Sequence, residues 1–393
     1  MKVIDTAQSG SDSDSDVPST SRVNVNGARN EWVRATLDAR FMRRALALSA
    51  RGAGNVSPNP LVGAVVVQDT RVVGEGWHAH YGGDHAEVVA LRAAGENAKG
   101  ATIYVSLEPC NHTGKTPPCV SAIIAAGIAR VVFAIRDPNP VAMGGEVALR
   151  AAGIEVVVGV LGEDAAELNR PFLFAARGAT RPWVSLKLAL SLDGAVVDAS
   201  RERAWLTGPK AQKAVHVMRA SADAIGIGIG TALADDPHLT VRDVAAPRVA
   251  PIRVIFDRAA RLPLDSHLVK SAGDSQVVVV AAGASLSREA ALRAAGVDVI
   301  TAADLGSALV ALRERGVRHL LVEGGAVVAS AFMVAGLVDR LIIFQAPVIL
   351  GRDAVGAFGG IAPQRALSAP RLRVVSRKAF GPDMMTVYAV STE

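Results

Sequence analysis

Leu37, Phe41, Ala45 and Leu48 recur at helical spacing, which predicts a helix beginning near Thr36 or Asp38 and stopping before Gly52 and Gly54. Beyond the turn Ser57-Pro58-Asn59-Pro60, the β-branched run 62–67 reads as a buried strand, and 72–77 returns as its neighbour. A second helix opens at His85-Ala86-Glu87 and runs through Arg92, and a strand at 101–106 leads into Leu107-Glu108-Pro109-Cys110. A third helix runs from Cys119 to about Ala126, and a strand follows at 130–135. This alternation implies a mostly parallel sheet sandwiched by helices, with His85 and Cys119 at helix N-termini, where the backbone dipole favours thiolate over thiol.

The segment Arg177-Gly178-Ala179-Thr180-Arg181-Pro182 interrupts the pattern before a new apolar strand begins at Trp183. Strands are then predicted at 184–189, 224–229, 252–256, 276–281, 297–300, 319–323 and 339–344, the last closing the series. Helices are predicted at 209–220, 288–295, 305–315 and 327–335. A chain of 393 residues is long enough for two cores, so the expected division is a tail over 1–35, one domain over 36–178 and another over 183–393. The tail carries Ser9-Gly10-Ser11-Asp12-Ser13-Asp14-Ser15-Asp16, too polar to offset ordering entropy, and is expected to be disordered.

Composition narrows the function. The run 122–135 is interrupted by Arg130 and too short to cross a bilayer, and the N-terminus lacks a signal peptide's apolar stretch, so no membrane partner is expected. Aromatic residues at 4% argue against stacking platforms for nucleic acid. A net charge of +5 suits a phosphorylated ligand and equally serves solubility. Two cysteines cannot build a disulfide framework, which points to a reducing, cytoplasmic setting.

Those two cysteines carry the chemistry. His85, Cys110 and Cys119 offer a zinc ion three ligands and leave a fourth position for water, the arrangement of a catalytic site. Glu87 lies two positions past His85 and outside the ligand set, where it can shuttle protons. The pattern is the nucleobase-deaminase signature except that nine positions, not three, separate the cysteines. Asn59, held between prolines, can read a donor and an acceptor on a heterocycle edge, or serve only the turn's geometry. His112 and Lys115, between the cysteines, could hold phosphate or ribose. In the second half, Glu323-Gly324-Gly325 between strand and helix would let a phosphate approach backbone N–H groups, although tight packing alone also produces such glycines.

The string His85-Ala86-Glu87, Leu107 to Cys110, Asn111-His112-Thr113-Gly114-Lys115-Thr116-Pro117-Pro118-Cys119, with Pro58-Asn59-Pro60-Leu61-Val62-Gly63 upstream, resembles the bifunctional pyrimidine deaminase/reductase family of riboflavin biosynthesis. The wide cysteine gap is that family's variant of the signature. Lys187-Leu188-Ala189-Leu190-Ser191-Leu192-Asp193-Gly194, Trp205-Leu206-Thr207-Gly208, His216-Val217-Met218-Arg219, Asp235-Asp236-Pro237 and Val322-Glu323-Gly324-Gly325 resemble its reductase half.

The resemblance implies an α/β protein: an N-terminal cytidine-deaminase-like three-layer α/β/α domain followed by a C-terminal dihydrofolate-reductase-like α/β domain. It implies zinc on His85, Cys110 and Cys119 with Glu87 as proton shuttle, and a small phosphoribosyl pyrimidine as substrate. NADPH would fall on Ala189, Trp205, Thr231, Asp235 and the turn Gly325, Ala326, Val327, Val328, Ala329, Ser330 and Ala331. Arg258 is a candidate for the 2′-phosphate of the cofactor and Lys187 a catalytic candidate beside the nicotinamide. Substrate contacts would fall on Arg203, Arg219, Leu239, Arg242 and Glu323, with Arg219 and Arg242 suited to the sugar phosphate. A homo-oligomer is expected. The rival readings are a nucleic-acid base editor and an inactive zinc-stabilised scaffold; the second has no use for Glu87.

Overall fold

The computed structural model describes residues 25–114, 117–201, 205–365, 367 and 369–390. The acidic serine run at 9–16, Lys115 and Arg203 lie outside the described residues.

Helix α1 (Val25–Ser49) opens the described chain and starts inside the segment expected to be tail. Residues 31–36 are exposed, and core contact begins with Leu37, Asp38, Phe41, Met42 and Ala45. Apolar periodicity therefore marks where the helix meets the core, not where it starts. Asp38 is no cap: it is buried inside the helix, where both carboxylate oxygens accept from the Arg130 guanidinium at 2.8 Å and Oδ1 also accepts from the Tyr104 hydroxyl at 2.8 Å.

The first sheet contains β1 (Gly63–Gln68), β2 (Arg71–Trp77), β3 (Thr102–Val105), β4 (Arg130–Phe133) and β5 (Glu155–Val158), in the order β2-β1-β3-β4-β5. Pairings β1–β2 and β1–β3 are antiparallel, while β3–β4 and β4–β5 are parallel. The expected mostly parallel sheet is thus half antiparallel, because the chain enters it through a hairpin. Along β1, Ala64 and Val66 face α2 (Ala86–Ala94), α3 (Cys119–Ala125) and α4 (Gly145–Ala151), while Val65 and Val67 face α1 and α5 (Gly162–Leu168). Burial on both faces is why this strand reads as a continuous apolar run. Helix α6 (Arg170–Ala176) follows and leads to the second half.

That half contains β6 (Trp183–Leu190), β7 (Ala195–Val197), β8 (Ala224–Gly228), β9 (Ile252–Phe256), β10 (Val277–Ala281), β11 (Asp298–Thr301), β12 (His319–Glu323), β13 (Arg340–Gln345), β14 (Val355–Gly356), β15 (Arg373–Phe380) and β16 (Asp383–Ala389). Nine of them form one sheet in the order β11-β10-β9-β8-β12-β6-β13-β16-β15, and β7 pairs with β14. The seven strands from β11 to β13 run parallel, and β16 and β15 add antiparallel at one edge. The series thus does not close at 344. Helices α7 (Pro209–Ser221), α8 (Ile229–Asp235), α9 (His267–Lys270) and α10 (Leu286–Ala294) pack on one face of the sheet, and α11 (Leu305–Glu314) and α12 (Ala326–Val334) on the other. Among the described residues, no helix is long and apolar enough to cross a membrane.

Candidate active sites

The first site is built where β2 and α2 touch. A Cβ on Gly76 would lie 2.4 Å from the carbonyl oxygen of Ala86, so only glycine lets the opening turn of α2 rest directly on the strand. His85 caps α2, and Glu87 lies in its first turn, facing inward. Cys119 is the first residue of α3, and Cys110 sits in the loop after β3, accepting the Cys119 backbone N–H at 3.5 Å.

The side chains converge: His85 Nδ1 is 3.2 Å from Cys119 Sγ and 3.5 Å from Cys110 Sγ, and the three ligand atoms lie within 4.8 Å of one another. Cys110 is held low, to about 4, by its hydrogen bond with Cys119 and then by His85, whereas the shared proton and burial push Cys119 up. Two buried sulfurs and an imidazole within reach of one ion are the donor set of a tetrahedral zinc site with an open position. Glu87 is buried, and its Oε2 has no hydrogen-bond partner among the described residues. Burial raises its carboxyl to about 7 against the opposing charge of His85. An unpaired carboxylate oxygen beside such a donor set fits zinc and the ligand that zinc would carry.

Asn59 belongs to this site through a residue the sequence reading missed. Its amide Nδ2 lies 3.1 Å from His78 Nε2, and His78 Nδ1 lies 3.0 Å from the carbonyl of Asp84. That carbonyl can only accept, so the proton sits on Nδ1, Nε2 accepts, and Asn59 donates one amide hydrogen. The Asn59 oxygen and second N–H carry no other hydrogen bond among the described residues. The His78 ring meets His85 edge-on, with centroids 5.5 Å apart, and burial lowers its pKa, favouring the neutral form. The only sequence signal for His78 is its place among three closely spaced histidines, 78, 80 and 85. His112 Nδ1 is buried with no partner among the described residues.

The second site is a cleft of about 1280 Å³ at the carboxyl ends of the parallel strands, where open α/β sheets bind ligands. Lys187, Ala189, Trp205, Arg219, Thr231, Asp235, Leu239, Arg258, Glu323, Gly325, Ala326, Val327, Val328 and Ala331 all line it. Ala329 and Ser330 do not: α12 turns them into the protein, and Ser330 Oγ accepts from the Gly360 N–H at 3.3 Å. Arg242 is exposed and borders a smaller recess of about 180 Å³ shared with Trp205, Arg219 and Leu239. Arg219 lines both the cleft and this recess and is engaged by its neighbours. Its Nε and Nη2 meet the two Glu323 carboxylate oxygens at 2.5 and 2.9 Å, and Nη1 donates to the Thr240 carbonyl at 3.1 Å.

Register pairs Glu323 with Lys187 across β12 and β6. Burial lowers the Lys187 pKa and Arg219 adds to this, against the pull of Glu323. Burial pushes Glu323 upward, but Arg219 and Lys187 together hold it below the usual carboxylate range. The Lys187 ammonium lies 5.9 Å from the centre of the Phe344 ring. The N-terminus of α12 opens onto the same cleft, with the Gly325 N–H donating to Thr231 Oγ1 at 3.3 Å, so the cleft has the size and the anion-facing helix end that a dinucleotide phosphate fits.

A three-layer unit with a Cys₂His centre and a free glutamate, followed by a parallel-sheet unit with a dinucleotide-sized cleft, defines a zinc-dependent deaminase fused to a nicotinamide-dependent reductase. Residues 35–135 match the "Cytidine and deoxycytidylate deaminase zinc-binding region", and residues 182–386 match the "RibD C-terminal domain". The riboflavin biosynthesis protein RibD of Aquifex aeolicus is 40% identical over 354 residues, covering 90% of this chain and 98% of the relative. RibD of Escherichia coli is 40% identical over 359 residues, covering 88% and 98%. Among solved structures, Acinetobacter baumannii RibD shares 37% identity with a TM-score of 0.77, covering 91% of this chain and all of that one. A Thermotoga maritima diaminohydroxyphosphoribosylaminopyrimidine deaminase/5-amino-6-(5-phosphoribosylamino)uracil reductase shares 35% with a TM-score of 0.78, covering 91% and 99%. The chain belongs to the RibD family of bifunctional deaminase/reductases.

Proposed function

We propose that residues 36–178 deaminate 2,5-diamino-6-(5-phosphoribosylamino)pyrimidin-4(3H)-one to 5-amino-6-(5-phosphoribosylamino)uracil, and that residues 183–393 reduce the ribosyl group of that product to ribityl. The observation that carries the reading is the unpartnered Glu87 oxygen beside the converging His85, Cys110 and Cys119.

His85, Cys110 and Cys119 would hold the zinc, which when bound would supply the Lewis acid that activates a water. Glu87 takes the proton on Oε2 and gives it to the departing ammonia, a task suited to a carboxyl near neutrality. Asn59, oriented by His78, holds the edge of the pyrimidine.

In the cleft, NADPH when bound supplies the hydride for C1′ of the opened ribosyl group. Lys187 is the proton carrier beside that carbon, its pKa lowered by burial, with Glu323 opposite it in the strand register. The Arg219–Glu323 pair forms the wall against the sugar, which leaves Arg242 as the guanidinium for its phosphate. Two thiolate ligands suit a reducing, cytoplasmic setting, and the same reading takes the protein as a homo-oligomer.

Ammonia release and NADPH oxidation, followed separately, test the reading. Glu87→Gln should lose ammonia release by roughly 10²- to 10⁴-fold while still reducing supplied 5-amino-6-(5-phosphoribosylamino)uracil. Ammonia release at the wild-type rate would overturn the role of Glu87. Wild-type hydride transfer by Lys187→Ala would overturn that of Lys187.

A further inference from the structure

The turn that presents Asn59 is held from the other half of the molecule. The carbonyl oxygens of Gly54, Asn55, Ser57 and Pro58 each accept a hydrogen bond from a residue beyond 220. Arg248 supplies three: its backbone N–H to Gly54 at 3.0 Å, Nε to Asn55 at 3.2 Å and Nη2 to Ser57 at 2.7 Å. Arg318 Nη1 donates to the Pro58 carbonyl at 2.8 Å, the bond nearest Asn59 in the chain. Ser57 Oγ donates to Asp223 Oδ1 at 2.8 Å, and Asp223 Oδ2 accepts from the backbone N–H groups of Arg318 and His319, both at 2.9 Å. Closure is tight: Gly54 has φ +80°, and a Cβ there would lie 2.5 Å from the Ala220 carbonyl oxygen.

Within its own half the carbonyls of Gly54, Ser57 and Pro58 find no donor among the described residues, although that of Asn55 also accepts from Tyr81 N at 3.0 Å and Asn169 ties down Leu61 just beyond the turn. Asn59 N donates to the Val56 carbonyl at 2.8 Å, Asn55 N to the Gly52 carbonyl at 3.0 Å, and the Asn59 amide meets His78. A loop carrying several carbonyls needs donors to settle in one conformation, and here guanidinium groups on the reductase side provide them. The Arg248 guanidinium also lies 5.2 Å over the Tyr81 ring, and Tyr81 N donates to Asn55, so the loop after β2 that carries His78 is gripped in the same contact.

We infer that Arg248 and Arg318, residues of the reductase half, are positioning residues for deamination, fixing the turn that aims Asn59 at the pyrimidine. This rests on the reading of Asn59 as a substrate contact. The strap is one-directional in consequence. Arg318 and Asp223 lie at the amino ends of β12 and β8, away from the carboxyl ends that line the cleft, so its loss leaves reduction intact.

The test uses the full chain with zinc bound. In Arg248→Ala and Arg318→Ala, kcat/KM for ammonia release should fall roughly 10- to 100-fold, mainly through KM, as expected for a misplaced binding group. Zinc content and reduction of the supplied uracil intermediate should stay at wild-type levels. Arg318→Lys, which keeps a donor for the single Pro58 contact, should recover most of the loss. Adding Arg318→Ala to Asn59→Ala should cost nothing further, because both act through one side chain. Wild-type kcat/KM in the arginine variants alongside an impaired Asn59→Ala overturns the inference alone. An unimpaired Asn59→Ala overturns the reading of Asn59 and the inference with it. Should an alanine variant lose zinc, Ser57→Ala, which deletes one hydroxyl of the strap, decides: a raised KM with full zinc supports positioning, and an unchanged KM refutes it.

Discussion

Arg219 and Glu323 show how a residue's chemistry is decided by its neighbours. As isolated letters, an arginine and a glutamate both suggest substrate contacts; in the fold they bind each other through two parallel hydrogen bonds. Removing one partner strands a buried charge, which typically costs about 3–5 kcal/mol, with Lys187 left to offset part of it for Glu323. Arg219→Ala should therefore lower stability by up to about that amount in urea titrations, whereas a double change to apolar residues of similar volume should cost less. The cluster of His85, Cys110, Cys119 and Glu87 was legible in the sequence because its spacing follows the metal's demands, with His85, Glu87 and Cys119 at helix starts and Cys110 in the loop between. His78 was not legible. Its contact with Asn59 joins the end of β2 to a turn before β1, and only the antiparallel pairing of those strands brings them together.

At the scale of elements, buried runs such as β1 and β8 were readable because both faces are covered, and the glycine-bounded helix ends were equally plain. The edge hairpin β15–β16 was not, because β15 carries Arg373, Arg377 and Lys378 on a mostly exposed strand whose alternation is weak. Helix α1 was read late because residues 31–36 are exposed and carry no apolar stripe. Where elements of the two halves meet, Glu167 on α5 accepts from Arg340 on β13 at 2.8 and 2.7 Å. Burial pushes the Glu167 carboxyl up, but Arg340 and then Arg170 hold it below its ordinary value. A depressed carboxyl contributes stability above its unfolded pKa and loses it as pH falls through the folded one. The melting temperature should drop on acidification below the ordinary glutamate range, and Glu167→Gln should flatten that part of the curve. An identical pH profile for the two proteins would remove Glu167 from the account.

The whole molecule has two chemistries on two sheets, and the sequence reading puts the break near 178–183, where glycine and proline interrupt an otherwise apolar pattern. The contacts across that break were invisible, since Arg248 and Arg318 look like any surface arginines until folding sets them against a turn nearly two hundred residues or more away. Because the sites are separate, stripping zinc with a chelator should abolish ammonia release yet leave reduction of supplied uracil intermediate at its original rate, and restored zinc should return the lost step. Parallel loss of both rates would contradict the separation. The two cysteines of the metal centre are also the only thiols in 393 residues. A colorimetric thiol reagent therefore counts empty centres directly: none per chain when every centre is filled, two when none is, with no labelled residue or variant required. The unaltered enzyme is its own gauge of metal occupancy, and specific activity can be plotted against that count within a single preparation.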